Sequence, residues 1–282
     1  MKFCAAIDIG ASSGRVAVGS LESGSLVIQE VHRFKHEAKE FEDRGLRWEW
    51  AKIVDEVKIG LLKAQELGEI ISIGIDTWAV DYGLLDAQGE LIEDPYCYRD
   101  SRTDGLMESI SDSLGADWIY SRTGIQFIFF NTAYQLRAAR NTPAINGAAT
   151  FLMLPDLLNY VLSGAKSNDI TNASSTQLLN AHTQEWDWEL IDNLEIPRHI
   201  FPALHKPGTK VGTINGHKLA TQVQEFIDLQ SNQTVMDEVL IGLRSDNSLY
   251  MRLRNRDVIQ ESHNSKSIIQ RILTDLKELA YF

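Results

Sequence analysis

Short apolar runs divide the start of the chain. Residues 3–10 (FCAAIDIG) are mostly apolar and end at a glycine, residues 15–21 (RVAVGSL) alternate apolar and polar side chains, and residues 25–34 form a third segment. Runs of this length predict strands, and the short turns between them, which contain glycine and serine, favour antiparallel pairing. The pattern therefore predicts a three-stranded meander at the beginning of the fold.

Apolar positions return at the helical period from Trp50 to Leu67, and Gly68 is a natural end for that helix. Residues 71–78 (ISIGIDTW) then predict another buried strand, and residues 81–92 predict a hairpin that turns at Gln88–Gly89. A helix between two strands of one sheet implies a crossover connection. The order βββαβ thus predicts an α/β fold with a mixed sheet.

Helices dominate the predicted middle of the chain. Pro155 interrupts the apolar stretch 149–162, which predicts a strand or turn followed by a helix from Asp156. At the C-terminus, apolar positions at helical spacing predict an amphipathic helix over residues 265–282. Further helices are predicted at residues 103–114, 132–140 and 186–194.

Composition and charge narrow the class of protein. The chain has 282 residues, of which 44% are hydrophobic and 23% charged, and its formal net charge is −12. This acidic balance disfavours nucleic-acid and anionic-membrane binding, which need a basic face, and no apolar run approaches the roughly 18 residues that span a bilayer. Cys4 and Cys97 lie far apart without a CxxC motif, which is typical of the reducing cytoplasm. We therefore expect a cytoplasmic protein with no nucleic-acid partner and no membrane association.

The segment from Asp8 to Arg15 (DIGASSGR) carries the most informative chemistry. Glycines in such a turn permit close approach and unusual backbone dihedrals, and its N–H groups can form an anion-binding concavity. The hydroxyls of Ser12 and Ser13 and the guanidinium of Arg15 suit phosphate, and Asp8 suits a hydrated Mg²⁺. The turn leads into a strand, which excludes a Walker loop and a Rossmann fingerprint. By composition alone, a simple hairpin without a ligand is an equally good interpretation.

Two later segments are weaker candidates for a binding site. Residues 76–81 (DTWAVD) follow a buried strand, and ligands favour the carboxyl ends of strands in open α/β sheets. The alternative is a turn capped by Asp76, with Trp78 in the core. Residues 98–103 (YRDSRT) suit either a binding loop or a surface turn that opens a helix.

Histidine and tryptophan spacing adds little. The seven histidines show no metal-ligand pattern, and we expect His32 and His36 to face solvent. Trp48 and Trp50 alternate with charged residues, which favours packing at an edge over a stacking platform.

Taken in order along the chain, these segments resemble the FGGY family of carbohydrate kinases. The resemblance covers residues 3–215 and is strongest to the members that phosphorylate L-rhamnulose. Ala11–Arg15 and Thr123–Phe127 are the strings most specific to those members, whereas the aspartate–glycine turn alone is shared by the wider actin-like kinase superfamily. The matching strings are Ile7–Arg15, Ser72–Trp78, Val80–Asp81, Tyr98–Thr103, Thr123–Phe127, Asn131–Thr132, Tyr134–Leu136, Pro155–Asp156, Thr171–Ser174 and Gln177–Leu178.

The resemblance implies a fold of two ribonuclease H-like (actin-like ATPase) lobes with a cleft between them, of which this chain matches the first. It implies phosphoryl transfer from ATP to the 1-hydroxyl of L-rhamnulose, which requires in-line geometry, a metal and a carboxylate base. Asp8 would help to bind Mg²⁺. The residues that would line the phosphates are Ala11, Ser12, Ser13, Gly14 and Arg15, and those that would bind the sugar are Trp78, Ala79, Asp81 and Arg99.

The chain departs from the family pattern in two places. Ala79 stands where family members usually have glycine, and its methyl group is expected to tighten the sugar pocket or shift its preference. Beyond residue 214 the similarity fades, and the His-Asp-Thr-Ala-Ser string that carries the family's catalytic base is not found, since no histidine of the chain precedes an aspartate. We therefore expect a kinase lobe at residues 1–218 and a divergent, mainly helical tail at 219–282 that packs onto the lobe or onto a second copy.

These departures predict a truncated chain that is poorly active or inactive alone. A non-catalytic lobe that binds a sugar, a second lobe or another copy of itself is one alternative. A kinase for another ketose, such as L-fuculose or xylulose, is a second. Thr123–Phe127 weighs against the second alternative, whereas Ala79 leaves it open.

Overall fold

The structure is a computed structural model that describes residues 1–41, 45–214 and 239–242. Its strands are β1 (Lys2–Ile9), β2 (Ser13–Glu22), β3 (Ser25–Lys35), β4 (Ala38–Phe41), β5 (Gly45–Trp48), β6 (Glu69–Thr77), β7 (Tyr82–Leu85), β8 (Thr150–Met153), β9 (Asn168–Asp169), β10 (Leu204–His205), β11 (Lys210–Ile214) and β12 (Val239–Gly242). Its α-helices are α1 (Trp50–Leu67), α2 (Leu106–Leu114), α3 (Ala116–Thr123), α4 (Thr132–Ala139), α5 (Pro143–Gly147), α6 (Leu154–Ser163), α7 (Ile170–Ser174) and α8 (Trp188–Asn193).

The main sheet has six strands in the order β11-β12-β6-β1-β2-β3. Strands β1, β2 and β3 pair in antiparallel order, whereas β6 runs parallel to β1. Helix α1 makes the crossover from the meander to β6, and its bounds are those predicted. The predicted α/β class and mixed sheet are therefore confirmed, with the additional hairpin β4–β5 inserted before the helix.

Helix α1 covers one face of this sheet. Its apolar face, which includes Ile53, Val57 and Leu61, is fully buried against β1 and β2. The close approach depends on Gly60, because a Cβ at that position would lie 2.3 Å from Cγ2 of Val16. A larger residue would force the helix away from the sheet.

A second apolar core lies among helices α2 to α5, helix α8 and the strand pair β7–β8. Strand β6 contributes to the sheet core, and Tyr82 at the start of β7 belongs to the second core. Residues 78–81 connect the two strands. This connection therefore lies where the two cores meet.

The predicted hairpin over residues 81–92 is present. Leu85 and Leu91 form an antiparallel bridge, and the chain turns at Asp86–Gly89. The N–H of Asp86 donates to the carbonyl of Glu90 at 2.9 Å, and the N–H of Ile92 donates to that of Leu84 at 3.0 Å. The antiparallel pairing of β7 with β8 on its other edge was not predicted, and all residues of both strands are buried.

Most predicted helices are present with shifted ends. The helix expected from Asp156 begins at Leu154, since Pro155 fits the first turn, where a proline loses no hydrogen bond. Helix α3, between two glycines, was not predicted. The expected tail helix at 265–282 and the boundary after residue 218 lie outside the described residues, and within them no helix combines the length and apolar character needed to cross a bilayer.

Candidate active site

The turn between β1 and β2 is short and partly exposed. Gly10 donates its N–H to the carbonyl of Ser13 at 2.9 Å, which closes the turn. Ser12 is exposed, while Ala11 and Ser13 are half-buried. Of the residues predicted to contact phosphate, Ala11, Ser12 and Ser13 are therefore at least partly accessible at the end of the sheet, whereas Gly14 is buried.

Gly14 is needed for packing rather than for an unusual dihedral. We expected glycine here for close approach and for unusual backbone dihedrals. The second expectation is wrong, since neither Gly10 nor Gly14 has a positive φ. A Cβ at Gly14 would lie 2.2 Å from the ring of Phe34 on the adjacent strand. The ring fills the space that a side chain would take, and so brings β3 against the turn.

Asp8 and Arg15 face each other across the hairpin. They are partners in the antiparallel register, and Arg15 Nε lies 3.3 Å from Asp8 Oδ2. Burial raises the pKa of Asp8, and the positive charges of Arg15 and Arg33 oppose that rise. Oδ2 of Asp8 is buried and accepts no hydrogen bond within the described part of the chain.

A second carboxylate lies on the neighbouring strand. Asp8 of β1 and Asp76 of β6 are partners in the parallel register. Both strands end at the same edge of the sheet, which is where ligands bind in open α/β folds. Two acidic side chains and the glycine–serine turn thus share one edge.

The connection after β6 is organised by Asp81, whose side chain is fully buried. Its Oδ2 accepts hydrogen bonds from the indole N–H groups of Trp48 (2.7 Å) and Trp78 (2.8 Å) and from the backbone N–H of Tyr98 (3.1 Å). Its Oδ1 accepts from Nε2 of Gln135 at 3.1 Å. Burial raises the pKa of Asp81 to about 6, although all four partners are donors and favour the carboxylate.

Aromatic rings surround this carboxylate. The ring centroids of Trp48 and Trp78 are 4.4 Å apart, and His36 stacks on Trp78 with centroids 5.4 Å apart. Tyr98 continues the cluster toward Phe130 at 5.2 Å. The cluster forms an apolar wall next to Ala79, which is half-buried.

His36 joins the two candidate regions. Its Nε2 lies 2.8 Å from the carbonyl oxygen of Gly10, and its backbone N–H donates to the carbonyl of Ser12 at 3.3 Å. Burial lowers the pKa of His36, which favours the neutral ring. The same residue therefore contacts the turn after β1 and the indole of Trp78.

Arg99 is exposed at the rim of the aromatic wall. Its guanidinium carbon lies 5.3 Å from the ring centroid of Tyr98 and 5.7 Å from that of Trp48. Arg102 is more buried, and donates to Oε1 of Gln135 at 2.6 Å. Only Arg99 of the two is placed to reach a ligand without rearrangement.

The structure thus brings the predicted sugar-site residues to one region, but only some of them are accessible to a ligand. Trp78, Ala79 and Arg99 are accessible to a ligand, whereas Asp81 contacts protein groups on every side. Two sequence expectations are wrong: His36 is buried at 3% exposure rather than solvent-facing, because it packs between the turn and the tryptophans, and His32 is largely covered and contacts Glu56.

Trp48 is also fully buried rather than at an edge, since its indole N–H is needed by Asp81. Gln135 and Thr132, which lie in the segment Asn131–Leu136, were not singled out as functional. Their only signal was membership of a family string, because Val80 and Asp81, their partners at the corner, lie more than 50 residues away in the sequence.

The profile of the FGGY family of carbohydrate kinases, N-terminal domain, matches residues 3–227. The chain belongs to this family. Relatives include the rhamnulokinases of Oceanobacillus iheyensis, which is 43% identical over 230 residues (80% of this chain and 48% of that protein), and of Mannheimia succiniciproducens, which is 43% identical over 252 residues (88% and 51%). The chain therefore spans about half the length of the curated relatives it matches.

Solved structures of FGGY-type kinases share the fold at lower identity. A ligand-bound xylulose kinase from Lactobacillus acidophilus superposes with a TM-score of 0.73 at 19% identity, covering 88% of this chain and 49% of that one. A glycerol kinase from Plasmodium falciparum with ADP gives 0.69 at 18% identity, with the same coverage of both chains. These neighbours confirm the predicted actin-like lobe.

Proposed function

We propose that this chain binds a ketose and the phosphates of ATP, as the first lobe of a kinase that phosphorylates the 1-hydroxyl of L-rhamnulose. The observation that carries the proposal is the meeting of the glycine–serine turn and the Trp78 corner at one sheet edge, joined by His36. The rhamnulokinase relatives at 43% identity support the choice of sugar.

In this proposal the turn binds the phosphates. Ala11, Ser12, Ser13 and Gly14 offer backbone N–H groups and two hydroxyls, and Arg15 adds a positive charge. Backbone N–H groups in a tight turn suit an anion because they need no reorganisation. The Asp8 carboxylate next to Arg15 keeps the guanidinium in place.

Asp8 fits a role in holding Mg²⁺. Its Oδ2 is buried, accepts no hydrogen bond among the described residues and lies 3.3 Å from Nε of Arg15, beside the phosphate turn. Mg²⁺ is usually held by one or two carboxylates, several waters and substrate phosphates. When bound, the ion would offset phosphate charge. Among the described residues, no group of three or more His, Cys, Asp or Glu side chains could hold a metal ion by itself. The proposed Mg²⁺ would therefore need the phosphates of ATP as further ligands.

The aromatic wall and the Ala79 corner would bind the ketose. Trp78 offers a flat apolar surface and Arg99 a charged donor, while Asp81 fixes the orientation of the indole. The methyl group of Ala79 narrows the corner relative to glycine. This predicts a preference among ketoses rather than a loss of binding.

The proposed reaction is a substitution at phosphorus. The 1-hydroxyl oxygen of the ketose forms a bond to the γ-phosphorus of ATP, the bond to the β–γ bridging oxygen breaks, and ADP leaves. The hydroxyl proton passes to a carboxylate base, a role that we assign to no residue of this chain.

A cytoplasmic location and contact with a second lobe or another copy belong to the same proposal, and the free thiols of Cys4 and Cys97 suit that location.

Calorimetric titration of the purified chain tests the proposal. We expect L-rhamnulose to bind more tightly than L-fuculose or D-xylulose, and MgATP to bind weakly through its phosphates. Binding of D-xylulose in preference to L-rhamnulose would favour the other ketose kinase, and no binding of any ketose would contradict the proposal.

A coupled assay for ADP release tests turnover separately. We expect the chain alone to show little phosphorylation of L-rhamnulose, because general base catalysis is worth about 10²–10⁴-fold and no His-Asp pair occurs in the sequence. Turnover of about 1–100 s⁻¹, as in ordinary kinases, would overturn this expectation.

A further inference from the structure

Val80 adopts a strained backbone conformation at the centre of the candidate sugar site. Its φ is +70°, in the left-handed region that β-branched residues rarely occupy. It follows Trp78 and Ala79 directly and precedes Asp81. Such strain persists only where neighbouring groups hold the residue in place, and it concentrates at functional sites.

Two side chains of helix α4 hold the Val80 carbonyl. The hydroxyl of Thr132 donates to it at 2.7 Å, and Nε2 of Gln135 donates at 3.2 Å. Thr132 is fully buried and Gln135 is 1% exposed, so water does not compete for these bonds. Val80 therefore has two donors fixed on a rigid helix.

The orientation of the Gln135 amide is itself determined. Its Oε1 accepts from Arg102 at 2.6 Å, and since a guanidinium can only donate, the amide nitrogen must face the other way. That nitrogen lies 2.9 Å from the carbonyl oxygen of Phe130, 3.1 Å from Oδ1 of Asp81 and 3.2 Å from the Val80 carbonyl oxygen. The two amide hydrogens are shared among these three acceptors, so one amide links the Val80 corner, the Asp81 carboxylate and the loop before α4.

We propose that Thr132 and Gln135 are positioning residues for the ketose. By anchoring the carbonyl of the Val80–Asp81 peptide they hold Val80 in the left-handed conformation. Through Asp81 they also support the Trp78 indole against which the sugar would bind. This inference rests on the proposed function for its ligand. The claim that Thr132 and Gln135 hold the Val80 backbone can be tested on the chain without any ligand.

The first test compares Thr132→Val with Thr132→Ser. Valine keeps the size and removes the donor, whereas serine keeps the donor. We expect Thr132→Val to weaken L-rhamnulose binding about tenfold in calorimetry, the size of one net hydrogen bond, and Thr132→Ser to bind like the parent. MgATP affinity should change less than about twofold in both variants, because a fold-wide effect would lower both affinities.

The second test places Thr132→Val in a Val80→Gly background. Glycine occupies the left-handed region at no steric cost, so the corner no longer needs the Thr132 donor as strongly. The loss of L-rhamnulose affinity caused by Thr132→Val should then fall from about tenfold to less than about threefold. An equal loss in both backgrounds would show that Thr132 does not act through Val80.

Backbone chemical shifts of selectively labelled Val80, recorded without ligand, separate this inference from the proposed function. We expect left-handed values in the parent and a shift toward negative φ in Thr132→Val. Unchanged Val80 shifts in Thr132→Val would overturn the inference even where the parent binds L-rhamnulose. A parent that binds no ketose would overturn the proposed function, and with it the sugar-positioning role, while the shifts would still report whether Thr132 holds Val80.

Discussion

The two halves of the candidate site are built in opposite ways. The turn at residues 10–15 offers mainly backbone groups, is partly exposed, and is closed by one short local hydrogen bond. The corner at residues 78–81 is held by buried side chains from distant segments, including Trp48 and Gln135. A phosphate needs a rim of donors that any short turn can supply, whereas a sugar needs a shaped wall that only tertiary packing can make.

We expect the largest loss of stability from a substitution that disrupts the corner at residues 78–81. Asp81→Ala leaves the N–H donors of Trp48, Trp78, Tyr98 and Gln135 without their acceptor, and each unsatisfied buried donor costs about 1–3 kcal/mol. With partial relief from water that enters the gap, we expect the free energy of unfolding to fall by about 3–5 kcal/mol in urea denaturation. Asp112→Ala, at an exposed position of α2, is the control and should change it by less than about 0.5 kcal/mol.

The pH dependence of stability tests how burial of the Asp81 carboxylate affects the corner. The pKa of Asp81 rises from 3.8 to about 6 on folding, so the native state binds the proton more strongly and loses stability as pH increases through this range. A rise of this size corresponds to about 3 kcal/mol. The stability advantage of the parent over Asp81→Asn should therefore be greatest below pH 4 and decrease by about that amount above pH 6. An advantage that grows with pH would show that the four donors outweigh burial.

A smaller effect is expected at the turn. Arg15→Ala removes one charge-assisted contact to phosphate, worth about 1.5–3 kcal/mol, and should weaken MgATP binding by at least about tenfold. Arg33→Ala is a matched control, because Arg33 is the register partner of Arg15 on β3 but is paired with Glu30 on the exposed side. Equal MgATP affinity in the parent and in Arg15→Ala would contradict the phosphate-binding role proposed for Arg15.

The contrast between the two regions also explains what the sequence could predict. The tight turn between β1 and β2 was predicted because its glycines and serines are adjacent in the chain, and its phosphate role stays a prediction. The meander, α1 and the mixed sheet followed from local periodicity in the same way. The sugar contact assigned to Asp81 stays a prediction. What the sequence could not show is that its side chain accepts four protein hydrogen bonds, three of them from donors 17 to 54 residues away.

The burial of His36 and the β7–β8 pairing were missed for the same reason. His36 follows a strand and has the composition of a surface position, and only the fold brings it between Gly10 and Trp78. Strand β7 meets its predicted hairpin partner at Leu91, but its second partner, β8, lies more than 60 residues away in the sequence. Local pattern carries no information about such contacts.

The central claim is that the turn and the corner bind different ligands and can be impaired separately. Its most direct test is a crossed calorimetric titration of the parent, Arg15→Ala and Thr132→Val, each with MgATP and with L-rhamnulose. We expect Arg15→Ala to lose affinity for MgATP alone and Thr132→Val to lose affinity for L-rhamnulose alone. Equal losses of both ligands in either variant, or a parent that binds neither ligand, would contradict the account.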